Sequence, residues 1–252
     1  QGAPIVIKAD GLAAGKGVVV AKDIKDAHAA IDSFMTDSSL GEAGKTVVIE
    51  EYLTGVEISV LAAVSVTPET AKTGKATIVP FVPARDHKRL NEGATGPNTG
   101  GMGAVAPLDD VNQQTMEEFN KAILEPTLKG MIAENYDYRG FIFFGVMLTP
   151  KGPKLLEYNV RLGDPETQAV LPLMDFDFAA MCKSIIQGDL ASFTFAWKNG
   201  YVCAPVAVSG GYPGSYKKGM PITVNQQEFN STGAKLFVAG ANIKDDTLVT
   251  TG

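Results

Sequence analysis

The sequence predicts an α+β fold, built from antiparallel hairpins with helices set between them. Two observations lead there. Short β-branched segments come in pairs: residues 4–8 with 17–21, and residues 140–149 with 155–162 across the turn Pro150-Lys-Gly-Pro153. Helical stripes stand apart from these pairs, with apolar residues three and four positions apart at residues 23–35, 115–132 and 175–186. With 252 residues, 45% hydrophobic and 20% charged, the chain can bury a sizeable core in one large domain or a few lobes. No internal repeat is visible.

In the first helix Asp23 reads as the N-cap, and Ala27, Ile31, Phe34 and Met35 form the apolar stripe. His28, set between alanines, reads as structural. Residues 45–53 read as a buried strand ending in two acids, and residues 56–63 and 76–80 as further strands, with a polar connection at 65–74. Thr115 and Glu118 form a capping box for a second helix carrying Phe119, Ile123 and Leu124, and Pro126 should kink or split it. Asp175 or Asp177 caps the third, whose stripe is Phe178, Met181, Cys182, Ile185 and Ile186. From Phe193 onward the pattern is strands and turns, including Gly210-Gly-Tyr-Pro-Gly-Ser215, as at the start of a separate β-rich lobe.

The net charge of −6 argues against nucleic acid as the main partner, although one local basic pocket is enough for a phosphate ligand. Cys182 and Cys203 both lie among apolar residues, so two buried, reduced thiols are expected rather than a disulfide or a metal site. The longest apolar runs, 141–144 and 146–148, are far too short to span a membrane, and no signal peptide is expected. A cytoplasmic protein is expected. Gln1 stands where a Met would, and the chain ends at Thr251-Gly252 straight after an apolar stretch, so both ends look cut from a longer polypeptide.

The most informative stretch is 155–168. Glu157, Asn159 and Arg161 alternate with Tyr158, Val160 and Leu162, which on an extended backbone puts the three polar groups on one face and the apolar ones on the other. A carboxylate and an amide oxygen suit a hard cation, and a guanidinium beside them can fork onto phosphate or carboxylate oxygens. Gly163-Asp164-Pro165 then turns the chain and adds the acids Asp164 and Glu166. An edge strand with a solvated polar face would show the same alternation. The apolar opposite face and the immediate turn favour a site.

Two glycine-rich loops add to this. Between Lys8 and the strand at 17–21, Gly11, Gly15 and Gly17 free the backbone for close approach, and Lys16 adds charge. Only three residues separate Gly11 from Gly15-Lys16, and a strand follows, so this is no Walker A loop but a flap able to cover phosphates. The second loop runs from Arg85-Asp-His-Lys-Arg89 through Thr95-Gly-Pro-Asn-Thr-Gly-Gly-Met-Gly103. A loop of this length and charge inside a domain points to substrate binding. His87 within it has no partner in the sequence that would orient it for acid–base work.

Arg161-Leu-Gly-Asp-Pro-Glu-Thr-Gln168, together with the Asp86-His-Lys-Arg89 and Thr95–Gly103 loop, resembles the phosphoribosylamine–glycine ligase (glycinamide ribonucleotide synthetase) family of ATP-grasp enzymes, and the resemblance covers most of the chain. It implies an ATP-grasp fold of two α+β lobes followed by part of a β-rich C-terminal lobe. Residues 1–52 would form the small lobe, incomplete and with its flap, 53–192 the core lobe, and 193–252 the start of the C-terminal lobe. An N-terminal domain of the same polypeptide is the further part implied.

The same resemblance implies that glycine and 5-phosphoribosylamine are joined through an acyl phosphate, with ATP and Mg²⁺ (or Mn²⁺) as cofactors. Lys8, Gly11, Gly15, Lys16 and Gly17 would meet phosphates, the backbone around Glu50, Glu51 and Leu53 the adenine, and Glu57 the ribose hydroxyls. Glu157 and Asn159 would hold the metal. Asp86, Lys88, Asn98, Thr99, Gly100, Gly101 and Glu166 would bind substrates, with Arg161 and Asp164 both binding and catalysing. Where many ATP-grasp enzymes place an acidic ligand on the neighbouring strand, this chain reads Phe144-Gly145-Val146, so Glu157 and Asn159 are expected to be the main protein ligands. No protein nucleophile is required, and the chain offers no Ser–His–Asp or Cys–His arrangement. The stretch on its own is expected to be catalytically impaired. The rival readings are another ATP-grasp ligase and a non-catalytic nucleotide-binding module.

Overall fold

The computed structural model describes residues 2–11, 13 and 17–252, so Gly15 and Lys16 of the flap lie outside the described residues. The chain divides into two compact units, Gln1–Gly55 and Val56–Gly252.

In the first unit β1 (Ile5–Ala9) pairs antiparallel with β2 (Val18–Ala21) on one side and β3 (Val47–Glu51) on the other. Helix α1 (Ile24–Ile31) is capped by Asp23, whose carboxylate accepts from Asp26 N at 2.8 Å. Ala27, Ala30 and Phe34 pack with Ile5, Ile7 and Ala21 into a small core. Met35 does not join them. The helix widens into a π turn at Asp32–Thr36, which shifts the stripe and leaves Met35 exposed. Nor is 45–53 a buried strand: β3 is an edge with one neighbour, and Val48 and Ile49 face outward while only Val47 reaches the core.

The second unit is built on a four-stranded antiparallel sheet in the order β11-β10-β4-β5. These strands are β4 (Val56–Val66), β5 (Thr77–Pro80), β10 (Tyr138–Thr149) and β11 (Gly152–Asn159). β4 is buried continuously from Ile58 to Val66, because both faces of the sheet are covered. On one face Val60, Val64, Phe144 and Val146 meet Phe119, Ile123 and Leu124; on the other Leu61, Ala63 and Phe143 join a core with Phe81, Met181 and Ile185. Residues 65–74 are not a plain connection. Thr67 and Thr70 form a capping box over the short helix α2 (Pro68–Lys72), and Pro68 suits its first turn.

β6 (Arg85–Asp86), β7 (Arg89–Asn91), β8 (Thr95–Asn98) and β9 (Gly103–Ala106) carry the second glycine-rich loop, with β7 paired to β8 and β6 to β9. Helix α3 (Gln113–Phe119) starts earlier than the expected capping box, because Asn112 is itself a good cap and accepts from Thr115 N at 2.9 Å. A π turn at Asn120–Leu124 leads into α4 (Glu125–Ala133), which places Pro126 in a first turn that tolerates it.

Helix α5 (Glu166–Val170) follows the Gly-Asp-Pro turn, and α6 (Phe178–Gln187) is capped by Asp177. Met181 and Ile185 define the buried face of α6, whereas Ile186, one residue round the helix, is 67% exposed rather than core. Strand β12 (Val202–Pro205) pairs with β9, in a sheet ordered β12-β9-β6. Beyond it come α7 (Gln226–Thr232), a helix the strand-and-turn pattern hid, and the hairpin of β13 (Ala241–Lys244) and β14 (Thr247–Thr250). α7 buries none of its residues, so it has no apolar stripe to reveal it, only its Asn225 cap. Of the two free cysteines, Cys182 is half-buried, with burial pushing its thiol above its ordinary pKa, and Cys203 on β12 is exposed, contrary to expectation.

Candidate functional site

Strand register assembles the site in the second unit. Ser59 on β4, Gly145 on β10 and Glu157 on β11 stand opposite one another, so the three share a face. Gly145 keeps that row open: a Cβ there would come within 3.0 Å of Glu157 Cγ. The register of β10 with β11 slips between Gly145 and Val146, a bulge that lets Leu155 and Tyr158 both reach the apolar core while Glu157 points the other way.

Glu157 and Asn159 lie side by side, Asn159 Nδ2 donating to Glu157 Oε1 at 3.2 Å. The strand ends at Asn159, before the expected Leu162; Val160 lines one apolar groove with Leu155 and Tyr158 but is 73% exposed. Arg161 therefore sits beyond the strand. Its guanidinium still reaches back, with Nη2 3.5 Å from Asn159 Oδ1 and Nη1 donating to the Leu162 carbonyl at 2.9 Å.

Opposite stands the second glycine-rich loop. The Lys88 ammonium pairs with the Glu57 carboxylate. Burial works against the lysine's charge, but the hydrogen bond and charge of Glu57, with Glu157 and Asp86 nearby, outweigh it and raise its pKa. Asp86 is pushed up to about 7, first by burial and then by the charge of Glu166, with Lys88 pulling the other way. Its Oδ1 is buried and has no hydrogen-bond partner among the described residues. Glu166 is 4% exposed, and its Oε1 accepts from Ser59 Oγ at 2.8 Å. Gly163 must be small here, since a Cβ would lie 2.5 Å from Glu166 Oε2.

The two motifs singled out in the sequence meet at Gly101. At φ +120°, a Cβ there would strike Pro165 Cδ at 2.7 Å and Asp86 Oδ1 at 2.9 Å. Thr99 N and Oγ1 both donate to the Lys88 carbonyl, Gly101 N to Thr99 Oγ1, and Met102 N to the His87 carbonyl. Asn98 pairs in register with Arg89 at the loop's base. Asp164 is exposed and accepts from Gln168 Nε2 at 2.7 Å, so it faces along α5. His87 contributes its backbone to the loop.

The remaining expected residues belong to the first unit. Lys8 pairs with Glu50 at 2.6 Å, Glu51 is exposed and Leu53 half-buried. Gly11 and Gly17 are required by packing inside that unit: a Cβ on Gly11 would lie 2.7 Å from Ala43 Cα, and one on Gly17 2.7 Å from Ala13 Cβ. Sequence reasoning missed Ser59 and Gly145. Ser59 shares Glu57's face by strand alternation, a signal that was available; the alignment of Gly145 with Glu157 needs the register.

The donor set suits a hard divalent cation. Glu157 supplies a carboxylate and Asn159 an amide oxygen, and among the described residues no group of three or more His, Cys, Asp or Glu is placed to hold a metal. A cation at this pair would take its other oxygens from phosphate and water, the habit of Mg²⁺ at nucleotide sites. No helix among the described residues is long and apolar enough to cross a membrane.

The chain is similar to known proteins along most of its length. The model of the phosphoribosylglycinamide synthetase ATP-grasp (A) domain matches residues 1–167. Phosphoribosylamine–glycine ligase of Clostridium acetobutylicum is 47% identical over 249 residues, covering 99% of this chain and 57% of its own length. A trifunctional purine biosynthetic protein of Bos taurus is 45% identical over 98% of this chain but only 24% of its own. The crystal structure of phosphoribosylamine–glycine ligase from Thermotoga maritima superposes with a TM-score of 0.79 at 35% identity, covering 99% of this chain and 59% of that one. The chain thus spans little more than half the length of its single-activity relatives. It belongs to the phosphoribosylglycinamide synthetase ATP-grasp domain family.

Proposed function

We propose that this chain carries the ATP-grasp and substrate-binding part of a cytoplasmic ligase that joins glycine to 5-phosphoribosylamine, giving glycinamide ribonucleotide, ADP and phosphate. The glycine carboxylate attacks the γ-phosphorus of ATP, an O–P bond forms, and ADP leaves. The amine of phosphoribosylamine then attacks the acyl carbon, phosphate departs and the amine gives up a proton. The work of the protein is to position reactants and offset charge.

Glu157 and Asn159 would hold Mg²⁺ or Mn²⁺, which when bound neutralises phosphate oxygens. Arg161, within reach of Asn159, would stabilise the transferring group, and Lys8, Gly11, Gly15, Lys16 and Gly17 are assigned to the remaining phosphates. Glu50, Glu51 and Leu53 are assigned to the base, and Glu57, fixed by Lys88, to the ribose. Asp86 and Glu166 line the amine side, with Asp86 poised near neutrality to take up the released proton. Asn98, Thr99, Gly100 and Gly101 bind substrate through the loop, and Asp164 hydrogen-bonds it from the surface. The lobe divisions at 52/53 and 192/193 belong to the same proposal.

The observation that supports this best is the close packing of Gly101 between Asp86 and Pro165, which joins the loop to the Arg161–Gln168 turn. The test is ADP release by the protein at its natural length, with glycine and phosphoribosylamine omitted in turn. ADP release requiring both supports the assignment. Release driven by another acid would indicate a different ATP-grasp ligase, and nucleotide binding without turnover a binding module. Residues 1–252 alone should turn over far more slowly than the natural-length protein.

A further inference from the structure

The turn Gly210-Gly-Tyr-Pro-Gly-Ser215 has no part in the proposed ligase chemistry, yet it touches the glycine-rich loop at Gly100. Tyr212 Oη accepts a hydrogen bond from Gly100 N at 2.7 Å, and a Cβ on Gly100 would come within 3.1 Å of that oxygen. Consecutive glycines are thus held from different sides, Gly101 by Asp86 and Pro165 and Gly100 by Tyr212. The C-terminal segment follows the loop further, since Val206 N donates to the Met102 carbonyl and Pro205 pairs with Gly103.

The turn is built to fix the phenol. Tyr212 N donates to the Ser209 carbonyl and Gly214 N to the Gly211 carbonyl. Gly211 has φ +103°, and a Cβ there would lie 2.5 Å from the Ser215 carbonyl oxygen. The ring packs against Tyr216, centroids 6.1 Å apart. A phenol oxygen that accepts from Gly100 keeps its own proton to give. Among the described residues nothing takes that proton.

We propose that Tyr212 is a further substrate-binding residue: anchored on Gly100 N–H, its hydroxyl donates to an anionic oxygen of the substrate held by the glycine-rich loop. This rests on the ligase reading. The oxygen is a phosphate of phosphoribosylamine or the carboxylate of glycine, and the Michaelis constants tell them apart.

The experiment compares wild type with Tyr212→Phe, both at natural length, in steady-state kinetics for each substrate and in amide exchange at Gly100. Tyr212→Phe keeps the ring. The expected result is a rise of about tenfold in KM for one of the two substrates, the loss of about one hydrogen bond to a charged group. The KM for ATP and kcat stay within about twofold, and Gly100 exchange quickens. A rise for phosphoribosylamine names the phosphate, and one for glycine names the carboxylate. Unchanged KM values for both, or a fall in kcat with every KM unmoved, overturns the proposal. So does unchanged exchange at Gly100. Tyr212→Ala, which also removes the ring, must reproduce the same KM pattern. A wild-type protein inert with both substrates overturns the ligase reading and the substrate contact with it, and the exchange comparison then still decides whether Tyr212 holds the loop.

Discussion

Ser59 and Glu166 are 107 positions apart in the chain, yet the serine hydroxyl donates a 2.8 Å hydrogen bond to the glutamate's Oε1 inside the protein. This bond ties the second residue of the Glu57–Ser59 face to the first turn of α5, and it gives a buried carboxylate a donor. Removing that donor leaves the charge short of a partner. Ser59→Ala should cost about 1–3 kcal/mol of stability in urea denaturation. Glu166→Gln should cost less, because an amide oxygen can still accept from Ser59.

Glu166→Gln has a second effect. It removes the like charge that helps lift Asp86, so the Asp86 carboxyl should fall from about 7 toward its ordinary range. A carbon-detected NMR titration of the Asp86 carboxyl checks this. An unmoved titration would mean that the charge of Glu166 does not help set its value.

Asp86 also makes stability depend on pH. The folded protein keeps this proton up to about 7, whereas the unfolded chain releases it near 3.8. Over that interval the folded state binds more protons, so the contribution of Asp86 to stability declines as pH rises from 3.8 to about 7 and is level above. Asp86→Asn should flatten this slope, giving a smaller difference between urea midpoints at pH 5 and pH 8 than in the wild type.

Gly101→Ala joins an unfavourable φ of +120° to collisions with Pro165 and Asp86. It should destabilise the protein by about 1–3 kcal/mol. By moving the loop it should also lower ligase activity by at least about tenfold. Gly93→Ala, at φ +66° in the left-handed helical region and with no described atom within 4 Å of its Cβ, serves as the control: milder strain, no collision and little loss of activity.

Strands β1, β2, β4, β5, β10 and β11 and the helices α1, α3 with α4, and α6 were legible because apolar periodicity and caps announce them, as Asp23 and Asp177 do, whereas β6 to β9 lay within a stretch that read as a loop. The candidate site was legible in parts. Glu157 and Asn159 share a face by simple alternation, and the loop from Asp86 to Gly103 declares itself by glycine content and charge. What the sequence concealed depends on contacts between distant segments. Ser59 meets Glu166 only once the chain between them has folded back, and Tyr212 finds Gly100 only because β12 returns beside β9. Met35 and Ile186 were misplaced because helix periodicity assumes an unbroken helix and a wide apolar face. A π turn breaks the first helix, and two core positions, Met181 and Ile185, suffice for α6.

The most direct test of the central claim, that Glu157 and Asn159 hold the metal of a bound nucleotide, is Mn²⁺ affinity measured by electron paramagnetic resonance with a non-hydrolysable ATP analogue present. Glu157→Gln, whose side chain is exposed and supports no core contact, should weaken Mn²⁺ binding by at least about tenfold while leaving the thermal midpoint nearly unchanged. Mn²⁺ affinity equal to that of the wild type would contradict the assignment.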